Sequence, residues 1–194
     1  MAVRSLKNST IENFANYSSS MNAGYSFQDY ELIESVFLAS NASSVTFSNL
    51  NQYATEYKHL QIRGTLKPAA SNANTWLRIN GDTGNNYAWH ELFTYNPATS
   101  VGSGSLASTN YIKAIYSNSS PSTSYGVGII DILDAYSTTK TKTLRIFTGT
   151  ISDFFVALRS GLWNNTSAVS SLTFVSDGGH DLAAGSRLSL YGIR

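Results

Sequence analysis

The chain has no cysteine, which excludes disulfides and thiolate metal sites together. That absence fits a protein that persists outside a cell without redox rescue, and fits a cytosolic protein equally well. Charge is scarce too: 13% of the 194 residues are charged and the net charge is +1, against roughly 25% charged in an average globular protein. A nucleic-acid binder concentrates its cations in a patch, whereas the 13 Lys and Arg here are spread along the chain, so no nucleic-acid partner is expected. No stretch approaches the roughly 20 apolar residues of a membrane span. Met1-Ala2-Val3-Arg4-Ser5-Leu6-Lys7-Asn8 carries two cations with no apolar run behind them, so neither a signal peptide nor a membrane partner is read there. The expectation is a chain made in a cytoplasm that reaches the exterior, if at all, by lysis or assembly. The sequons at Asn8, Asn41, Asn118 and Asn164 then carry no glycan meaning.

With few charges, the polar surface must come from Ser, Thr, Asn, Gln and Tyr, a composition typical of adhesins, capsid proteins and fibres. The 12 Tyr, 9 Phe and 3 Trp, with only 3 Pro, suit half-buried strands. The clearest local signal runs from Tyr57 to Phe93, which reads as three strands joined by two turns. Leu60, Ile62 and Leu66 fall on one face of the first strand, with His59, Gln61, Arg63 and Thr65 on the other. Leu77 and Ile79 oppose Trp76, Arg78 and Asn80 in the second. Such period-two alternation marks strands with one buried face. The same grammar recurs along the chain. Residues 30–39 form a strand in which Glu31 and Glu34 break the alternation, so a bulge or an edge position is expected. Val45-Thr46-Phe47 and Tyr111–Tyr116 are short strands. Gly126–Ala135 is the most apolar strand and belongs at the centre. Lys142–Thr148, Asp153–Arg159, Ala168–Val175 and Arg187–Ile193 complete the set, with Leu188 and Leu190 facing inward and a link at Ser160–Asn165. Residues 94–109, low in bulk and rich in Ser and Gly, read as a long exposed loop. About ten strands with no convincing helix among them predict an all-β fold, a single antiparallel β-sandwich of jelly-roll type over residues 29–194. Residues 1–28 read either as a frayed terminus or as a separate arm, partly helical or extended, that orders on a partner. Its Leu6, Ile11 and Phe14 lie at spacings a short helix uses.

Several constellations are candidates for chemistry. Asp82 with Asn80, Asn85 and Asn86 clusters oxygen ligands as calcium requires, but lacks the alternating acidic pattern of an EF-hand, and a plain Asx-rich hairpin turn explains it. Asp131 and Asp134 lie three residues apart on one strand, hence on opposite faces. Asp131 could meet Glu91 or Asp82 across a cleft as glycosidase carboxylates do, or be a buried Asp held by Arg or backbone donors. His59, His90 and His180 show no metal-ligand spacing, and His90 and Glu91, adjacent on a strand, cannot share a face. Gly102-Ser103-Gly104-Ser105 lies in the wrong context for a nucleophile elbow. Trp76 and Trp89 flank the Asn80–Asn86 turn and are the candidate glycan contacts, against the alternative of core or interface packing. No catalytic, metal or cofactor-binding residue is assigned.

The strings YKHLQIRG, RINGDTGNNYAWHEL, IIDILDAY, KTLRIFTG, LRSGLWNNTSAVSSLTF and GSRLSLYGI, together with the opening MAVRSLKNSTIENF, resemble a family of small β-rich structural proteins of tailed-phage virions. The likeness runs from about Tyr30 to Arg194 and carries no catalytic motif. It implies a non-enzymatic component of the particle exterior: a capsid decoration or head-fibre protein, or a short tail-fibre module. Such a chain would be made in the host cytoplasm, localise to the virion and assemble as a homotrimer. Its arm would anchor through Leu6, Ile11 and Phe14 to other capsid or tail proteins. The alternative is a receptor-recognition module of a tail fibre that binds a host surface glycan. Residues 94–109 are the least family-like part, and any specificity would reside there.

Overall fold

The computed structural model of the chain describes residues 30–70, 74–95, 101–117, 123–151 and 154–194. The expected arm, with Leu6, Ile11 and Phe14, lies outside these residues. The described chain forms twelve strands: β1 (Tyr30–Phe37), β2 (Ser44–Phe47), β3 (His59–Leu66), β4 (Thr75–Ile79), β5 (Tyr87–Thr94), β6 (Val101–Thr109), β7 (Ile112–Lys113), β8 (Gly126–Leu133), β9 (Lys142–Thr150), β10 (Phe155–Trp163), β11 (Leu172–Ser176) and β12 (Arg187–Ile193). Among the described residues the only helical turns are 3₁₀ turns at Leu50–Tyr53 and Asp177–Gly179.

All strand pairs are antiparallel and form two sheets, ordered β1-β12-β3-β8-β9-β10-β5-β6 and β2-β11-β4-β7. Eight of these strands, β1-β12-β3-β8 in one sheet and β2-β11-β4-β7 in the other, reproduce the jelly roll, in which the chain passes back and forth between two four-stranded sheets. The hairpin β5–β6 is inserted between β4 and β7, and the hairpin β9–β10 between β8 and β11. Both join the same sheet beyond β8, so one layer has eight strands and the other four.

The alternation read from the sequence places the core. Leu60 and Ile62 on β3, Ile130 and Ile132 on β8, Leu144 and Ile146 on β9, and Leu188 and Leu190 on β12 point inward from the wide sheet. They share one buried cluster with Val45, Phe47, Leu77, Ile79, Leu172 and Phe174 of the narrow sheet. Phe47 and Phe174 meet edge to face at 6.5 Å between ring centroids. Each such side chain contributes roughly 1.5–3 kcal/mol on leaving water, so burial between the layers dominates the stability. The edge position and bulge expected of residues 30–39 are both present: β1 pairs with β12 alone, and its register shifts between Leu32 and Glu34.

Four local expectations require correction. The stretch Tyr57–Phe93 does contain three strands, but β3 and β5 lie in the wide sheet and β4 in the narrow one, so its turns cross between layers instead of closing hairpins. Residues 101–109, expected as loop, form β6 along β5. Gly102 and Gly104 belong to this strand because glycine serves here for space and not for chain reversal: a Cβ on Gly102 would lie 2.7 Å from Phe93 Cζ, and one on Gly104 3.1 Å from Glu91 Oε1. The expected link at Ser160–Asn165 likewise continues β10 as far as Trp163, with Gly161 leaving room for Ile112. Conversely, Tyr111–Tyr116 yields only the two-residue β7.

The β6 assignment makes a direct prediction. Gly102→Val forces a side chain against Phe93 and is expected to lower unfolding stability by about 1–3 kcal/mol. Ser103→Val, one residue on and facing solvent, is expected to change it by less than about 0.5 kcal/mol. Urea denaturation distinguishes this from a mobile loop, which tolerates both changes alike.

Candidate functional site

Strand register decides which acidic groups can meet. Asp131 on β8 pairs with Arg145 on β9, Arg145 with Ser160 on β10, and Ser160 with His90 on β5. That row points away from the narrow sheet. One residue on, Ile130, Ile146, Arg159 and Glu91 form the next row and point inward. Asp131 and Glu91 therefore stand on opposite faces, and the cross-strand carboxylate pair weighed from sequence does not form. Asp134 lies past the end of β8 at a positive φ of 47°, where Lys140 Nζ donates to it at 2.6 Å.

Each of the carboxylates is engaged. Asp131 is buried on the outer face, where Gln61 Nε2 donates to Oδ1 at 2.6 Å while Arg145 Nε and Nη2 donate to Oδ2 at 3.0 and 2.7 Å. This is the buried, Arg-satisfied reading. Arg63, paired with Ile129 in the neighbouring row, joins this group: its Nε donates to Gln61, and its guanidinium lies 5.2 Å from the ring centroids of both Tyr30 and Tyr191.

Glu91 sits on the inner face, where Arg159 Nε donates to Oε2 at 2.7 Å and Lys113 Nζ to Oε1 at 2.6 Å. Arg159 Nη1 also donates to the Ala114 carbonyl at 2.6 Å. Burial alone would raise the Glu91 carboxyl, but the bonds from Lys113 and Arg159 outweigh it and hold the group below its usual value. Burial pushes the Arg159 guanidinium down, against the pull of Glu91. Neither Lys113 nor Arg159 was singled out in the sequence, although a signal existed. Glu91 shares parity with the inward Tyr87 and Trp89, as Arg159 does with Phe155, Ala157 and Trp163.

The two tryptophans proposed as glycan contacts do not form one open platform. Trp89 is 8% exposed, and Lys113 Nζ lies 4.1 Å from its ring centroid. Trp76 points outward from the narrow sheet, half-buried, and stacks on Tyr111 at 4.1 Å between centroids and 7° between planes. Lys113 connects them, paired with Trp76 across the β4–β7 ladder.

In the Asn80–Asn86 turn the side-chain oxygens of Asn80 and Asp82 accept from the protein itself. Asp82 Oδ1 accepts from the Gly84 amide at 2.8 Å, and Oδ2 from Asn86 Nδ2 at 2.9 Å and Trp163 Nε1 at 2.7 Å. Asn80 Oδ1 accepts from the Ser170 and Ser171 amides at 2.7 and 3.1 Å. Burial opposes ionisation of Asp82, but these bonds, led by that from Trp163, hold its carboxyl below the ordinary value. The turn is thus a clasp between β4, β5 and β10, reinforced by Tyr87, whose hydroxyl lies between Ile79 and Asp82 and is pushed up by burial to about 12. Among the described residues no three His, Asp or Glu side chains gather as a metal site.

What remains open is apolar. Among the described residues, every large hydrophobic side chain with substantial exposure lies on β1, β5, β6, β8 or β10, on Phe147 of β9, or beside those strands at Tyr95, Ile151 and Phe154. None lies on the narrow sheet, whose outer face carries Thr46, hydrogen-bonded to Thr173 at 3.1 Å. No protein-family signature, curated protein or solved structure matches the chain.

The buried cluster predicts both a mutational and a pH response. Glu91→Gln removes the charge facing Arg159 and Lys113 and is expected to cost about 3–5 kcal/mol, the range for breaking one partner of a buried pair. Because the folded-state carboxyls of Glu91 and Asp82 lie below their unfolded values, their contribution is present above the unfolded pKa and is lost as pH falls through the folded one. The unfolding temperature is expected to hold from neutral pH down to about 5 and to fall below about 4, near the ordinary carboxylate values, with a smaller fall in Glu91→Gln.

Proposed function

We propose that this chain is a non-enzymatic structural protein of a bacteriophage virion, placed on the particle exterior as a capsid decoration, head fibre or short tail fibre. The observation that carries the assembly role is the contrast between its polar and apolar groups. Asp82, Glu91 and Asp131 are each held in bonds that stabilise the fold, while a broad apolar sheet face stands open. A face of that kind suits packing against protein, not turnover of a small substrate. The virion setting rests on the sequence resemblance. In this reading the chain works as a homo-oligomer, and residues 1–28 anchor it to capsid or tail proteins through Leu6, Ile11 and Phe14. Three such side chains give roughly 1.5–3 kcal/mol each before ordering costs. Several arms on one oligomer bind firmly through effective concentration.

The test is co-sedimentation with particles that lack the protein. Full-length protein is expected to pellet with them. A chain lacking residues 1–28 is expected to keep its β circular dichroism and stay in the supernatant. Equal binding of the two forms would place attachment in the sandwich, and no binding of either would remove the virion reading.

One observation favours a second reading, a carbohydrate-binding receptor module. The Trp76–Tyr111 stack lies on the outer side of the narrow sheet, flanked by Lys113 and Arg78, in the aromatic-plus-polar arrangement that sugar rings stack against. On that reading, Trp76→Ala abolishes binding to host-surface polysaccharide with little loss of stability. Retained binding in that variant, or none in the wild type, counts against it.

A further inference from the structure

In an antiparallel sheet with one wet face, the outward positions are expected to be polar. Across part of the wide sheet they are not. Ile129 on β8 pairs with Phe147 on β9, Phe147 with Leu158 on β10, and Leu158 with Leu92 on β5. Directly paired residues share a face, so these four side chains form a row across four strands, about 14 Å wide at the usual strand spacing. The neighbouring row runs Val127, Gly149, Val156. The six apolar side chains of the two rows are between 39 and 55% exposed. Gly149 presents no side chain, and beside it a recess of about 310 Å³ opens between Val127, Ile129, Phe147 and Val156. Protruding rings next to a recess make a surface that can receive a side chain as well as offer one.

We propose that copies of this chain associate through this outer face of the wide sheet, with the Ile129–Phe147–Leu158–Leu92 row at the centre of the contact. The inference rests on the reading of the chain as an assembled structural protein and names the surface that performs the assembly. Area argues for a second copy as the occupant. With Ile151 and Phe154 at the adjoining strand ends, 75 and 55% exposed, the eight large apolar residues leave roughly half of about 200 Å² each in the open, on the order of 800 Å² together, comparable with what one partner contributes to a stable interface of standard size. It exceeds the roughly 300–600 Å² of the largest patch on a typical monomer. Sheet faces pack on sheet faces about 10 Å apart through interdigitated apolar side chains. The narrow sheet offers no such face, since its described outer positions expose no large hydrophobic residue. The same face of another copy does. Beside the rows, Asp131 with Arg145, and Arg63 with Tyr30 and Tyr191, supply the polar rim with Arg and Tyr that protein interfaces favour. The opposed charges of Asp131 and Arg145 keep that rim from repelling itself.

The test is sedimentation equilibrium of the full chain at micromolar concentration. Wild-type protein is expected to be oligomeric. Phe147→Thr with Leu158→Thr, two exposed positions kept as β-formers, is expected to weaken association at least 100-fold and give a monomer with unchanged circular dichroism. Should that pair fail to fold, Leu92→Thr with Val127→Thr on the flanking strands is expected to give the same monomer. A monomeric wild type, or a folded variant of unchanged mass, overturns the proposal. Particle binding separates its fate from that of the virion reading. A variant that stays oligomeric while the wild type still loads onto particles removes only this interface. A monomeric variant beside a wild type that never binds particles removes only the virion role.

Discussion

Leu60, Ile62, Ile130 and Ile132 share one dry cluster with Phe47, Leu77, Ile79 and Phe174, across the gap between a sheet of eight strands and a sheet of four. Over β1, β12, β3 and β8 the two layers match strand for strand, and aliphatic burial suffices. Towards β10 and β5 the cover narrows to the two-residue β7 and the chain after it. There the inner face changes character: Glu91, Arg159 and Lys113 form a bonded ionic cluster, and Tyr116, Phe155 and Phe93 stack in series. The unequal width of the layers thus determines where charge enters the interior. It also leaves the added strands with an outer surface that nothing else in the described chain covers.

The electrostatics follow the same division. A buried pair is costly to desolvate and is retained only when its remaining donors and acceptors are satisfied. Arg159 meets that condition through Glu91 and the Ala114 carbonyl, and Lys142 does so through the carbonyls of Ser137, Lys140 and Thr166, with burial pushing its ammonium down. Asp82 meets it through Trp163, Asn86 and Gly84. These groups fix one register of β5 against β10, because a one-residue slip would carry Glu91 and Arg159 to the opposite face.

The core was legible because period-two alternation is a local property: Leu60, Ile62, Leu188 and Leu190 point where their parity says. Jelly-roll class was legible from strand spacing and the lack of helix. Strand order was not, since nothing local tells β4 that it belongs to a different layer from β3 and β5. Glycine misled wherever it served close approach instead of chain reversal, as at Gly102, Gly104 and Gly161. The candidate site was legible only in part. Asp131 could be read as a satisfied buried carboxylate, but its separation from Glu91 is a matter of face and needed the register. The open face of Val127, Ile129, Val156 and Leu158 was present as alternating apolar residues in GVGIIDIL and FVALRSGLW. These segments are apolar at both parities, and without the partner layer neither side can be identified as the uncovered one.

A reconstruction of the intact particle at side-chain resolution bears on all of this at once. The proposed virion role and the proposed wide-sheet contact together predict copies of the sandwich on the particle exterior, with Phe147 and Leu158 enclosed between neighbouring copies. Particles without the chain would contradict the virion role, and copies whose Phe147 and Leu158 face open solvent would contradict the wide-sheet contact.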